Sequence, residues 1–208
     1  HQLLKPVSRS GKTSSTDRRN LYASVMPKAN AKSASVRYHD VSDLHQTYSF
    51  GDDFSVEYGC ENSWNRIRDD LSSCNWTVFI CRQREGSMSS RRARLVVQLL
   101  AEGSGGMAEM NATLGSEECR SHVCFGGFRV IAVDQRSNGL TSYRPKFVFL
   151  VACGAQVSPR IRSAAAMHRS AVMGICGGAH VQFQIDQDSA LSQDRVVEAL
   201  LKSTGSHK

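Results

Sequence analysis

The chain has 208 residues and a formal net charge of +7, from 26 Lys and Arg against 19 Asp and Glu; that is room for one domain of ordinary size, about 100 to 150 residues, plus an extension. No apolar run approaches the ~20 residues a membrane-spanning helix needs, and no secretory apolar core stands near the start. The seven cysteines form no CxxC pair, and several lie in apolar runs where a thiol behaves as a small hydrophobe, so a reducing compartment, the cytoplasm, is expected.

The charge is uneven, since residues 1–51 hold eight Lys or Arg against three Asp. This stretch is rich in Ser, Lys, Arg, Asn and Ala, with scattered apolar residues such as Leu3, Leu21 and Val25, and cannot bury enough surface to fold alone. We therefore expect a basic extension ordered by a partner chain, with Lys5, Arg9, Lys12, Arg18 and Arg19 as its contacts. The same Arg-rich, Ser-rich, acid-poor composition is also how a mitochondrial transit peptide reads. A sequence pI near 9.2 suggests nucleic acid, but no aromatic interleaving or nucleic-acid motif accompanies the cations. An acidic protein surface, such as a cytoskeletal filament, is an equally physical partner.

From residue 52 the elements follow in order. Asp52 or Asp53 caps a predicted helix whose apolar residues Cys60, Trp64, Ile67 and Leu71 fall at spacings of four, three and four. Trp76–Cys81 and Ala93–Ala101 read as strands, joined by a polar loop with Arg82, Arg84, Arg91 and Arg92 whose plainer reading is a solvated hairpin tip. The GSGG of Gly103–Gly106 lacks the lysine and hydroxyl pair of a phosphate-binding loop and reads as a linker. Met107, Met110 and Leu114 mark the core face of a short helix. Phe128–Val133 is a further strand, and Asn138 with Gly139 signals a turn.

Lys146–Cys153 is apolar on both sides of a period-two pattern, as a central strand covered on both faces would be. Ser158 and Pro159 then open an alanine-rich helix with Arg160 and Arg162 in its first turn. Ile161, Ala165, His168, Val172 and Ile175 form its stripe, with His168 expected as an interior or boundary group rather than a ligand. Gly174, Gly177 and Gly178 should end it. Val181, Phe183 and Ile185 alternate with polar residues in a half-exposed strand. The last helix is expected to be capped by Asp188 or Ser189 and to bury Val196, Val197, Leu200 and Leu201.

Neither a GxSxG elbow nor an HExxH helix occurs. Cys176, four residues before His180, is the nearest thing to a nucleophile and base. It has no orienting third group, so a buried thiol is expected there. No catalytic residue, cofactor or metal site is expected.

The order and spacing of these residues resemble the cofilin-homology (ADF-H) family of actin-binding proteins, its coactosin branch most. The landmarks are Arg144, Pro145, Lys146 and Phe147, then Gly154, Val157, Ser158, Arg162 and Val172, the Phe183 and Ile185 strand, and Leu191, Asp194, Leu200 and Lys202. A second block holds Asn65, Ile67, Arg68, Asp69, Asp70, Trp76 and Thr77. The resemblance implies an α/β (α+β) fold. A single ADF-H domain over 52–205 would carry a central mixed five- or six-stranded sheet with helices on both faces, behind an irregular extension over 1–51. It further implies non-enzymatic binding to actin filaments through Lys146, Arg144 and Arg136 near the central strand and Arg160 and Arg162 on the helix. The coactosin pattern has a lysine where this chain has Ala164, and a tryptophan where it has Ala152. A second expectation is a structural subunit of a larger cytoskeletal assembly, such as a flagellar or axonemal microtubule complex, docked on acidic tubulin or a neighbour through the basic tail. A mitochondrial complex subunit is a third.

Overall fold

A computed structural model describes residues 21–24, 37–38, 47–84, 94–135, 141–186 and 189–204. Its centre is a mixed sheet. Seven strands run in the order β3-β4-β6-β5-β7-β8-β9, with β1 hydrogen-bonded to β7 and β2 to β6. They are β1 Leu21–Ser24, β2 Arg37–Tyr38, β3 Thr47–Ser49, β4 Phe54–Glu57, β5 Trp76–Gln83, β6 Leu95–Gly103, β7 Val123–Gln135, β8 Thr141–Cys153 and β9 Val181–Asp186. β4 runs parallel to β6 and β8 parallel to β9, while the other pairs are antiparallel. The path is longer than the five or six strands expected.

Helices cover both faces, because the central strands are apolar on both sides. On one face α2 (Gly106–Leu114), α3 (Glu117–Arg120) and α6 (Gln193–Thr204) pack Met107, Met110, Leu114, Cys119, Val196 and Leu200 against Trp76, Val78, Phe128, Val148 and Leu150. On the other, α1 (Tyr58–Arg68), α4 (Pro159–Met167) and α5 (Arg169–Ile175) pack Cys60, Trp64, Ile67, Ala165 and Val172 against Phe79, Phe125 and Phe149. Between Val78 and Phe79 the register with β6 shifts by one residue. This bulge places Leu99 in the second core and both Leu100 and Ala101 in the first.

The start of β7 shows why two glycines sit in a central strand. A Cβ on Gly127 would lie 2.0 Å from the Val148 carbonyl oxygen and 2.9 Å from the Trp64 ring, and one on Gly126 would lie 2.3 Å from the Thr77 oxygen. The backbones and the Trp64 ring occupy the space a side chain would need. Trp64 is fully buried, and its indole N–H donates to the Gly177 carbonyl at 3.1 Å.

Several expected boundaries move. Asp52 and Asp53 do not cap α1: Phe54–Val56 pair in parallel with Leu95–Val97, and the helix starts at Tyr58 after Glu57, with no side-chain cap. It stops at Arg68, so Leu71 falls beyond it and is 96% exposed. Gly103–Gly106 is less a linker than the end of β6 and the start of α2. The long helix after Ser158 is two helices. Ser158 accepts from the Ile161 amide at 3.4 Å as foreseen, but the helix breaks at His168, whose ring stacks on Phe54 at 4.2 Å and 6°. α6 begins at Gln193, where the Ser192 hydroxyl accepts from the Arg195 amide. Ser189 instead donates to the Asp186 carbonyl at 2.9 Å, Asp188 lies outside the described residues, and Leu201 faces outward.

Among the described residues, three short strands lie within residues 1–51. β3 continues the sheet, pairing Tyr48 with Val56. The Tyr48 hydroxyl donates to Glu61 at 2.5 Å and its ring stacks on Tyr58. β1 and β2 extend the ladder beyond the ends of β5 and β4, against Ile131–Asp134 and Ala101–Glu102.

Candidate functional site

β7 and β8 form a long hairpin, paired from Val123↔Cys153 out to Gln135↔Thr141. On its inner half β5 reaches Phe128 and β9 reaches Val148. Its outer half continues as a ribbon whose β7 edge is taken by β1. Side chains alternate across a strand, so Arg144 and Lys146 share the face of Val148, Leu150 and Ala152, the side covered by α2 and α6. Arg144 Nε donates to the Ser142 hydroxyl at 3.3 Å, two residues along that face. Arg144 is exposed and Lys146 half-buried.

Beside Lys146, the Phe147 amide donates to His180 Nδ1 at 3.0 Å and the His180 amide donates to the Phe147 carbonyl at 2.8 Å. Burial first, and then the Lys146 charge, push the His180 pKa down. His180 is thereby tied to the strand and not to Cys176. That thiol is 1% exposed, and burial pushes its pKa up, which leaves little thiolate at neutral pH.

Arg160 and Arg162, both exposed, stand on α4 in the opposite helix layer. The expected basic site is thus split by the sheet, with Arg144 and Lys146 together on one side and the two helix arginines on the other. Arg136 lies outside the described residues, as do Lys5, Arg9, Lys12, Arg18, Arg19, Arg91 and Arg92. Arg82 is not a loose tip residue, since it ion-pairs with Glu118.

Arg160 lines an open groove of about 740 Å³ between α4 and the β3–β4 turn, with Phe50, Asp52, Arg94, Met167 and His168. Ala164 also lines it. Sequence inspection missed this groove, because residues 50–53, 94 and 160–168 meet only once β4 pairs with β6. The one local signal was Met167, a 74% exposed apolar residue in the helix.

The sequence profile of the family described as cofilin/tropomyosin-type actin-binding protein matches residues 53–201. The chain belongs to this family. It is 24% identical over 143 residues to coactosin of Dictyostelium discoideum, covering 69% of this chain and 86% of that protein. Among solved structures it is similar to coactosin from Entamoeba histolytica, with a TM-score of 0.55 and 18% identity over 69% of this chain and 92% of that one. The ADF-like UNC-60A protein of Caenorhabditis elegans gives 0.52 and 15% over 76% and 100%. Human coactosin-like protein gives 0.51 and 19% over 69% and 93%. These likenesses establish the ADF-H fold over the sheet and its helices. The family match begins at residue 53, one residue before β4 and beyond β1, β2 and β3.

Proposed function

We propose that this protein binds actin filaments in the manner of coactosin, as a non-enzymatic cytoskeletal component of the cytoplasm. Membership in an actin-binding family supports the polymer, and the coactosin relative supports the branch. The observation that carries the site is the outer β7–β8 ribbon, which presents Arg144 and Lys146 on one face. Cations on a strand ladder meet acidic side chains with little ordering cost, and their attraction steers encounter as well as holding the complex. Lys146 is the principal contact, Arg144 its neighbour, and Arg160 and Arg162 are secondary. No bond is made or broken.

Cosedimentation with actin filaments tests this. Lys146→Ala should weaken binding by ~0.5 to 2 kcal/mol, roughly two- to thirtyfold in Kd. The binding that remains should fall further with added salt, because exposed charge pairs are screened. A Lys146→Ala, Arg144→Ala double variant that pellets like the parent would remove the ribbon from the site.

A further inference from the structure

β7 has β8 along one edge for its whole length, but its other edge changes partner. β5 holds it as far as Trp76↔Phe128, and the Arg129 amide then donates to the Asn75 carbonyl at 2.8 Å. Beyond that point β1 takes over, with Ser24, Ala23, Tyr22 and Leu21 opposite Ile131, Ala132, Val133 and Asp134. Among the described residues, β8 has no strand on its outer edge between Thr141 and Phe147. Without β1, the hairpin from Val130 to Lys146 would be a bare two-stranded ribbon about 20 Å long. Such ribbons are marginally stable in water, and a third strand changes that. β1 also touches α6, so it bridges the ribbon and the terminal helix.

We propose that Leu21–Ser24 is an intramolecular strand clamp, which holds the ribbon carrying Arg144 and Lys146 in one shape and thereby sets the affinity of that surface for its polymer. The clamp itself stands on the pairing; its effect on affinity rests on the filament reading above. Preorganising the ribbon removes an ordering cost that binding would otherwise bear. A segment released from the edge leaves open backbone groups that another extended chain could take.

The register makes the test specific. The Arg129 amide points away from β8, and amides alternate along a strand, so Ile131 and Val133 face β1 while Val130 and Ala132 face β8. By the same alternation Tyr22 and Ser24 bond β7. Tyr22→Pro removes one donor from that ladder, whereas Tyr22→Ala keeps it. Site-resolved amide exchange on the full chain should show Ile131 and Val133 protected in the parent and in Tyr22→Ala. In Tyr22→Pro they should exchange roughly tenfold faster or more, with the core amides of Phe125 and Phe149 unchanged as evidence that the fold is intact. Filament affinity should fall several-fold in Tyr22→Pro only.

Unchanged protection at Ile131 and Val133 in the proline variant would overturn the clamp. Protection in the parent that disappears on dilution would assign the strand to a second copy and overturn its intramolecular form. Faster exchange with unaltered filament affinity would overturn control of binding. If the parent ignores actin filaments, the filament reading and that control fall together, while the exchange result decides the clamp.

Discussion

Phe147 and His180 exchange two hydrogen bonds, amide to Nδ1 at 3.0 Å and amide to carbonyl at 2.8 Å, which fasten the start of β9 beside Lys146. Nδ1 accepts there, so this contact needs the ring nitrogen unprotonated. Burial and the nearby Lys146 charge depress the His180 pKa below its ordinary ~6.5. A depressed folded value means that the unfolded chain binds the proton more tightly. The stabilisation is therefore complete above the unfolded pKa and is lost as pH falls through it toward the folded value. Urea midpoints measured from pH 7.5 to 5 should fall less steeply in His180→Asn than in the parent. Identical slopes would remove His180 from the acid response.

Gly127 and Gly174 should answer the same substitution with opposite signs. An Ala methyl at Gly127 meets the Val148 carbonyl and Trp64, so Gly127→Ala should destabilise by roughly 1 to 3 kcal/mol or more. Gly174 lies in α5 with nothing within 4 Å of the added carbon, so Gly174→Ala should stabilise by about 0.5 to 1 kcal/mol. Chemical denaturation of both variants checks the pair. A tolerated Gly127→Ala would contradict the packing of β7 on β8.

Cys74 is the least buried of the described cysteines, yet burial and then Glu102 push its pKa up to about 11. Its thiolate should be scarce at neutral pH, and alkylation by iodoacetamide should rise about tenfold per pH unit until close to that value. Mass spectrometry of the folded protein at pH 7, 8 and 9 measures this. A plateau near pH 8.5 would mean an ordinary solvated thiol.

If filament binding uses both cationic regions, their contributions should be separable. Arg144 and Lys146 are two residues apart on one strand face, so their alanine substitutions should be non-additive in cosedimentation. Lys146 and Arg160 stand on opposite sides of the sheet, so their losses should add within about 0.3 to 0.5 kcal/mol. Strong coupling between Lys146 and Arg160 would place them on one contact.

What the sequence made legible follows from where periodicity is clean. Lys146–Cys153 was readable as a strand covered on both faces, although it lies one in from the edge strand β9 rather than at the centre of the sheet, and Met107, Met110 and Leu114 as a core stripe because α2 lies on the sheet. β4 was hidden: Phe54–Val56 is a short strand held by parallel pairing to residues some forty positions away, and its residues ran into the helical pattern after them. The first half of β7 was obscured by Gly126 and Gly127, poor strand formers kept there by crowding that only the fold reveals. The helix breaks at His168, whose ring stacks on Phe54 more than a hundred positions earlier, a contact no local pattern announces. The coactosin landmarks carried Lys146 and Arg162 as a set, but nothing in their spacing told that the sheet would stand between them.

That separation has a geometric outcome. A flat partner laid against the Lys146 side cannot also reach Arg160 and Arg162, whose flank looks the other way. A partner that repeats along an axis can meet both at once, one copy on each flank, and the second contact then forms at high local concentration. Filament binding through both flanks would therefore set the sheet between two neighbouring copies rather than over a single one.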